Sequence, residues 1–287
     1  MRFLFVDKIS EIDDKSIVGS KYFSKESPMQ YSDKDGELQI APGVISEAVG
    51  QLVSWLCIKN NDFTARPVFL FADEIEILEK VAPGSNVELK ARIDESDEET
   101  FVFSGEAYVD GKCVHRVASV NGYFMPLGDL EDPEVTKKRF QKMMDEGLEL
   151  SGDKGVYDFD SLVDVTVEKG QDSILVAKTM RESERFFDDH FPRFPVTPIV
   201  MINEMIGNAT ARLVCPENYR ALVPTMVKGI KIRNFVRPGE TVQTSVSLKR
   251  RQSNPDGTES ITTLAEVKKG KKIILRGKYE YVVAQQQ

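Results

Sequence analysis

The chain repeats itself, and a repeated chain must fold each copy on the same plan. At an offset of 157 residues, SIVGSK (16–21) falls on SILVAK (173–178) and EAVGQ (47–51) falls on EMIGN (204–208). The offset then drifts to 155. FLFADEIEILEKVAPG (69–84) parallels TMVKGIKIRNFVRPG (225–239), and VELKARI (87–93) parallels VQTSVSL (242–248). Residues 101–124 read as a hairpin around Asp110-Gly111, a favoured two-residue turn. Their counterpart, 261–283, is expected to turn at Lys269-Gly270. Each copy thus reads as strand, strand, one apolar helix, then four strands, and a long antiparallel sheet wrapped around a single helix fits that order.

The helix itself supports wrapping. Val44, Ile45, Ala48, Val49, Leu52, Val53, Trp55 and Leu56 spread around well over half the circumference of the helix predicted over 43–58. Between the copies, residues 132–155 read as a charged helix entered at Asp132-Pro133 and left through Gly-rich chain. The expected organisation is a first repeat over 1–130, a linker over 131–157 and a second repeat over 158–287.

Several function classes fall away. The N-terminal MRFLFVDKISEIDD is too acidic and too short in apolar run for a signal peptide. No window approaches the ~18 apolar residues of a membrane span. Cys57, Cys113 and Cys215 lie far apart without paired spacing, which speaks against a disulfide framework or a zinc site and for a reducing cytoplasm. Net charge is uneven: residues 1–133 carry 13 Lys+Arg against 25 Asp+Glu, whereas 134–287 carry 25 against 21. Two readings stand, ordinary solubility charge or a second half that docks an acidic partner. Nucleic acid is not expected, because no recognition motif accompanies the basic residues.

The copies differ in one respect that matters chemically. The second contains FFDDHFPRFPVTPIVMINEMIGN (186–208), where His190 sits in a proline-punctuated loop and Glu204 follows fourteen residues later on the helix. The first keeps the matching Glu47 but has no histidine; its loop is QYSDKDGELQIAPG (30–43), with Asp33 at the position of His190. The paired Phe186-Phe187, then His190-Phe191-Pro192, Pro195, Pro198 and Glu204 resemble, without a gap, the signature of the β-hydroxyacyl-acyl-carrier-protein dehydratases of bacterial fatty-acid synthesis. Glu at 47 and 204 matches the general dehydratase branch of that family rather than the dehydratase/isomerase branch.

The resemblance implies an α+β fold, here a double hotdog with two long antiparallel sheets, each around a central helix. In the family two units pair back to back, and each site draws its histidine from one unit and its carboxyl from the other. Carried over, His190 is expected to face Glu47, while Glu204 faces a site without a histidine. The resemblance further implies no metal and no redox cofactor, and a 3-hydroxyacyl phosphopantetheine thioester on acyl carrier protein as substrate. Single-unit relatives assemble as trimers of dimers, so the fused pair is expected as a pseudo-dimer, alone or as a trimer.

The residue types suit the chemistry. Dehydration needs a base near neutrality for the proton beside the carbonyl, which histidine supplies. It needs a protonated carboxyl for the departing hydroxyl, which an apolar site favours. It also needs N–H donors for the enolate oxygen, for which the helix-opening amides of Gly43 and Ile199 are candidates. Ile199 stands where the family has Gly, which bears on substrate range. Gln51 and Asn208, one turn after each Glu, are candidates to orient the carboxyls. His115 alternates along a strand and reads as structural; Phe186-Phe187 read as packing. Lys231, Arg233 and Arg237 would share one side of an ideal strand and form a candidate carrier-docking face, with a plain solvated sheet face as the alternative. Two further functions remain open at this level: a hotdog acyl-CoA hydratase or thioesterase, and a non-catalytic acyl-binding protein.

Overall fold

Both halves of the computed structural model, which describes residues 3–32, 36–148, 157–215 and 222–284, follow one element order. The first contains β1 (Lys8–Ile12), β2 (Ser16–Tyr22), β3 (Gln30–Ser32), β4 (Leu38–Ile40), α1 (Pro42–Asn60), β5 (Ala65–Ile77), β6 (Asn86–Ser96), β7 (Thr100–Val109) and β8 (Lys112–Pro126). Two further helices follow, α2 (Leu127–Leu130) and α3 (Pro133–Asp145). The second half contains a 3-10 turn (Phe159–Leu162), β9 (Val165–Lys169), β10 (Ser173–Thr179), a second 3-10 turn (Arg185–Asp188) and α4 (Ile199–Val214). It ends with β11 (Pro224–Ile232), β12 (Thr241–Ser253), β13 (Thr258–Lys269) and β14 (Lys272–Ala284).

Twelve strands make one continuous sheet in the order β1-β2-β6-β7-β8-β5-β11-β14-β13-β12-β10-β9. Read outward from the β5–β11 seam, the two directions give the same order, so the duplication in sequence is a duplication in space. The seam is antiparallel, pairing Ile75 with Val227 and Ala72 with Ile230. This is the double hotdog architecture. Each half of the sheet curls around its own helix: α1 packs on β2, β5, β6, β7 and β8, α4 on β10 and β12, and the helices touch each other.

Wrapping demands close approach between helix and sheet. A Cβ at Gly105 of β7 would lie 2.5 Å from Val49 Cγ1 and 2.8 Å from the Lys90 carbonyl oxygen, so glycine alone lets the strand lie on the helix there. Buried residues run along α1 from Val44 to Ile58 on nearly every face. Each large aliphatic side chain so enclosed contributes about 1.5–3 kcal/mol. α3 starts at the N-cap Asp132, whose side chain accepts from the Glu134 and Val135 amides, and its Met143 is fully buried.

Three local expectations change. The second hairpin turns at Gly270-Lys271, one residue later than expected, because Lys269 is still paired with Lys272 and Gly270 takes the left-handed φ of 55°. β11 stops at Ile232, so Lys231, Arg233 and Arg237 do not share one strand face. The chain leaves the sheet there, held by Arg233 N–H on the Ile274 carbonyl and by the Asn234 amide on the Ile273 carbonyl. The loop over 30–43 contains the small hairpin β3–β4, pairing Gln30 with Ile40, where the second half has its proline loop. Asp33 lies outside the described residues.

Candidate active site

His190 is placed by a loop fastened at both ends. The 3-10 turn before it buries Phe186 and Phe187, and the His190 amide donates to the Phe186 carbonyl at 2.9 Å. After it, Val196 N–H returns to the His190 carbonyl at 2.9 Å, and Thr197 N–H reaches the Val236 carbonyl at 2.7 Å. The ring nitrogen Nδ1 lies 3.0 Å from the Val196 carbonyl oxygen. A carbonyl only accepts, so Nδ1 carries the proton and Nε2 keeps its lone pair. Burial dominates the titration and holds the imidazole down at about 4; the Arg66 charge adds to this and the Val196 bond opposes it. The ring is therefore neutral at pH 7.

Glu47 comes from the other half, on α1, and lines the same cavity as His190, a space of about 80 Å³. Its Oε1 accepts from Gln51 Nε2 at 3.0 Å, one helical turn on. Burial raises the Glu47 pKa, while the Gln51 bond and the Arg66 charge pull it back. Ile199, the first residue of α4, lines the cavity as well, and its amide belongs to the helix turn that lacks intrahelical acceptors.

Glu204 is elsewhere. It lines a second cavity of about 250 Å³, together with Gly43, Tyr157 and Asn203, and no described histidine lines it. Its Oε1 accepts from the Gly43 amide at 3.3 Å, and burial pushes its pKa up to about 7. Gly43 is needed for that approach, since a Cβ there would lie 2.4 Å from Val200 Cγ2 and 2.9 Å from Glu204 Oε1. The two helix-opening amides are thus sorted: Ile199 belongs with His190 and Glu47, Gly43 with Glu204. Asn208 does not orient Glu204. Its amide donates to the Phe159 carbonyl at 3.2 Å and its oxygen accepts from Arg212 at 2.7 Å, because the 3-10 turn at Phe159 lies against α4. His115 is buried and bonded through Nε2 to Ser46 Oγ at 2.7 Å, and Phe186 and Phe187 line neither cavity.

Some site residues carried no sequence signal. Arg66 lines the His190 cavity, pairs with the buried Glu131 and sits 4.8 Å over the Phe191 ring. Thr197 lines it with a buried hydroxyl that has no hydrogen-bond partner among the described residues. The N-terminal Phe3 is a brace between halves. Its amide donates to Asp189 at 2.8 Å, its carbonyl accepts from Gln51 at 3.2 Å, and its ring meets His190 edge-on at 5.6 Å. One residue thereby steadies both the histidine loop and the group that holds Glu47.

The three basic residues expected to share one strand face make different contacts. Lys231 lies 6.0 Å from the Phe71 ring centroid, Arg237 stacks 4.2 Å over Phe194, and Arg233 is exposed. The segment between Arg233 and Arg237, through Asn234, Phe235 and Val236, lines the His190 cavity.

Comparison with known proteins adds three findings. The family described as "ApeI-like: ApeI dehydratase" matches residues 166–262. The 3-hydroxyacyl-acyl-carrier-protein dehydratase FabZ of Pseudothermotoga lettingae is 33% identical over 102 residues, covering 35% of this chain and 72% of that protein. Among solved structures, a putative oleoyl thioesterase from Lactobacillus plantarum superposes with a TM-score of 0.60 at 11% identity, over 94% of this chain and 97% of its own. The dehydratase domain of PpsC from Mycobacterium tuberculosis, in complex with C12:1-CoA, gives 0.56 at 12% identity, over 98% of both chains. At those identities the structural likeness is one of fold. Among the described residues, no helix is long and apolar enough to cross a membrane.

Proposed function

The chain belongs to the FabZ-like family of acyl-thioester dehydratases, and from that premise we propose that it removes water from a 3-hydroxyacyl thioester on acyl carrier protein, giving the trans-2-enoyl thioester, at the His190–Glu47 cavity. The observation that carries the reading is the meeting of these two side chains, one from each half, in a single cavity.

The chemistry of these groups supports the following steps. His190 Nε2, left basic by the Nδ1–Val196 bond, takes the proton from the carbon next to the thioester carbonyl. The charge that gathers on the carbonyl oxygen is met by the Ile199 amide at the opening of α4. Glu47, whose protonated form burial favours, gives its proton to the departing 3-hydroxyl, and the C–O bond breaks. The products are one water and one carbon–carbon double bond; a proton passing from His190 to Glu47 restores the site. Acid–base groups of this kind contribute roughly 10²–10⁴-fold each. The exposed Arg233 and Arg237, beside the cavity-lining segment, are the surface we assign to an acidic carrier.

Purified protein given 3-hydroxyacyl thioesters on carrier protein and on CoA tests this, with enoyl formation and free-thiol release followed together. Enoyl formation that disappears in His190→Ala is the expected result. Thiol release without enoyl product would assign the cavity to thioester hydrolysis instead, and silence in both channels would leave an acyl-binding protein.

A further inference from the structure

The catalytic cavity does not end at its catalytic residues. Glu47, Phe69, Ile199 and Ile232 line both it and an adjoining space of about 60 Å³. Gly43, Ser46, Ile75 and Asn203 line both that space and the Glu204 cavity. The three spaces therefore lie in a row, each sharing lining residues with the next. The middle one is an apolar throat, walled by side chains such as Phe71, Ala72, Phe103, Val117, Val120 and Ile230.

The far end is polar, and most of its polar groups are already engaged. Ser46 is bonded to His115, Asn203 accepts from the Tyr279 hydroxyl at 2.7 Å, and both ends of Asn208 are occupied. Two acceptors keep capacity: the buried Gln30 Oε1 has no hydrogen-bond partner among the described residues, and Glu204, only partly buried against the lumen it lines, accepts from Gly43. A carboxyl oxygen with spare capacity at the end of an apolar passage wants a partner that can both donate and accept.

We infer that the Glu204 cavity receives the far end of the acyl chain whose thioester end lies at His190 and Glu47, and that it selects a chain ending in a neutral hydroxyl. This rests on the dehydratase reading for the direction of the chain. Neutrality follows from the throat, because an ammonium or carboxylate end would have to shed its water to pass apolar walls, at far greater cost than a hydroxyl. A methyl end passes freely but leaves Glu204 desolvated and unsatisfied. A hydroxyl pairs with the carboxyl in either protonation state, and burial favours the protonated one here. The cavity without a histidine thus becomes the part that reads the tail.

The test is equilibrium binding of saturated long-chain acyl-CoA thioesters that cannot be dehydrated, matched in length and ending in methyl, hydroxyl or carboxylate. Wild type should bind the hydroxyl-ended chain about tenfold more tightly than the methyl-ended one, the worth of a hydrogen bond made in place of a buried orphan. Glu204→Leu should abolish that ratio and Glu204→Gln should keep part of it, so a misfolded Leu variant leaves the Gln variant to decide. Ile75→Trp, at the inner junction, should weaken every long chain more than it weakens butyryl-CoA. Equal binding of methyl and hydroxyl ends by wild type, or a ratio that survives Glu204→Leu, would overturn the inference. Turnover of a short 3-hydroxyacyl thioester is measured alongside: its absence would count against the dehydratase reading and leave the binding ratio standing.

Discussion

Two cavities related by the internal duplication hold the same carboxyl on the same helix position, among different neighbours. Glu47 is bonded to Gln51, lies in the field of Arg66 and shares its cavity with a neutral histidine. Glu204 is bonded to a backbone amide, and no described histidine lines its larger cavity. Burial raises both pKa values, so burial alone does not tell the two carboxyls apart. What separates them is the base across the cavity and the side chains that hold acid and base in register.

Substitutions in the His190–Glu47 cavity should have the largest effects. His190→Ala or Glu47→Gln each should lower kcat by about 10³-fold or more, since each removes a proton-transfer group and the two act as a unit. Phe3→Ala, which keeps the backbone bonds to Asp189 and Gln51 but removes the ring beside His190, should cost about tenfold in kcat through looser placement of the histidine. A fall in KM alone, with kcat intact, would speak against the brace.

Arg66 sharpens the comparison through pH. With Arg66 in place, activity should fall as pH drops through about 4, where His190 becomes protonated, and fall again as pH rises through the elevated pKa of Glu47. The Arg66 charge lowers both groups, so Arg66→Met should move both limbs of the kcat/KM profile to higher pH. Stationary limbs would remove Arg66 from the electrostatics of the site. The smallest effect is expected at the mouth, where Arg233→Glu with Arg237→Glu should raise KM for carrier-borne substrate a few-fold at low salt while CoA thioesters are little affected.

How far the sequence could be read depends on the range of the interactions involved. Repeat, helix, strand order and the Asp110-Gly111 turn are local or periodic signals, and all reappear in the twelve-stranded order. The partition of His190 with Glu47 was legible because the motif has a known cross-unit geometry and the repeat supplied the partner. Arg66, Phe3 and Thr197 were not, since their roles come from distant contacts that no spacing encodes: Phe3 meets residues 186 and 48 positions away. Asn208 failed for the opposite reason. Its spacing from Glu204 equals that of Gln51 from Glu47, but the Phe159 turn offers it a carbonyl that the first half lacks at that place. The end of β11 at Ile232 likewise depends on the loop closing over the cavity rather than on alternation.

In the proposed mechanism catalysis crosses the halves, with His190 served by Glu47 and not by the Glu204 of its own motif. The most direct test compares enoyl formation by Glu47→Gln and Glu204→Gln on the same short-chain 3-hydroxyacyl thioester. Glu47→Gln should lose about 10³-fold and Glu204→Gln less than tenfold. Full activity in Glu47→Gln together with loss in Glu204→Gln would contradict this mechanism.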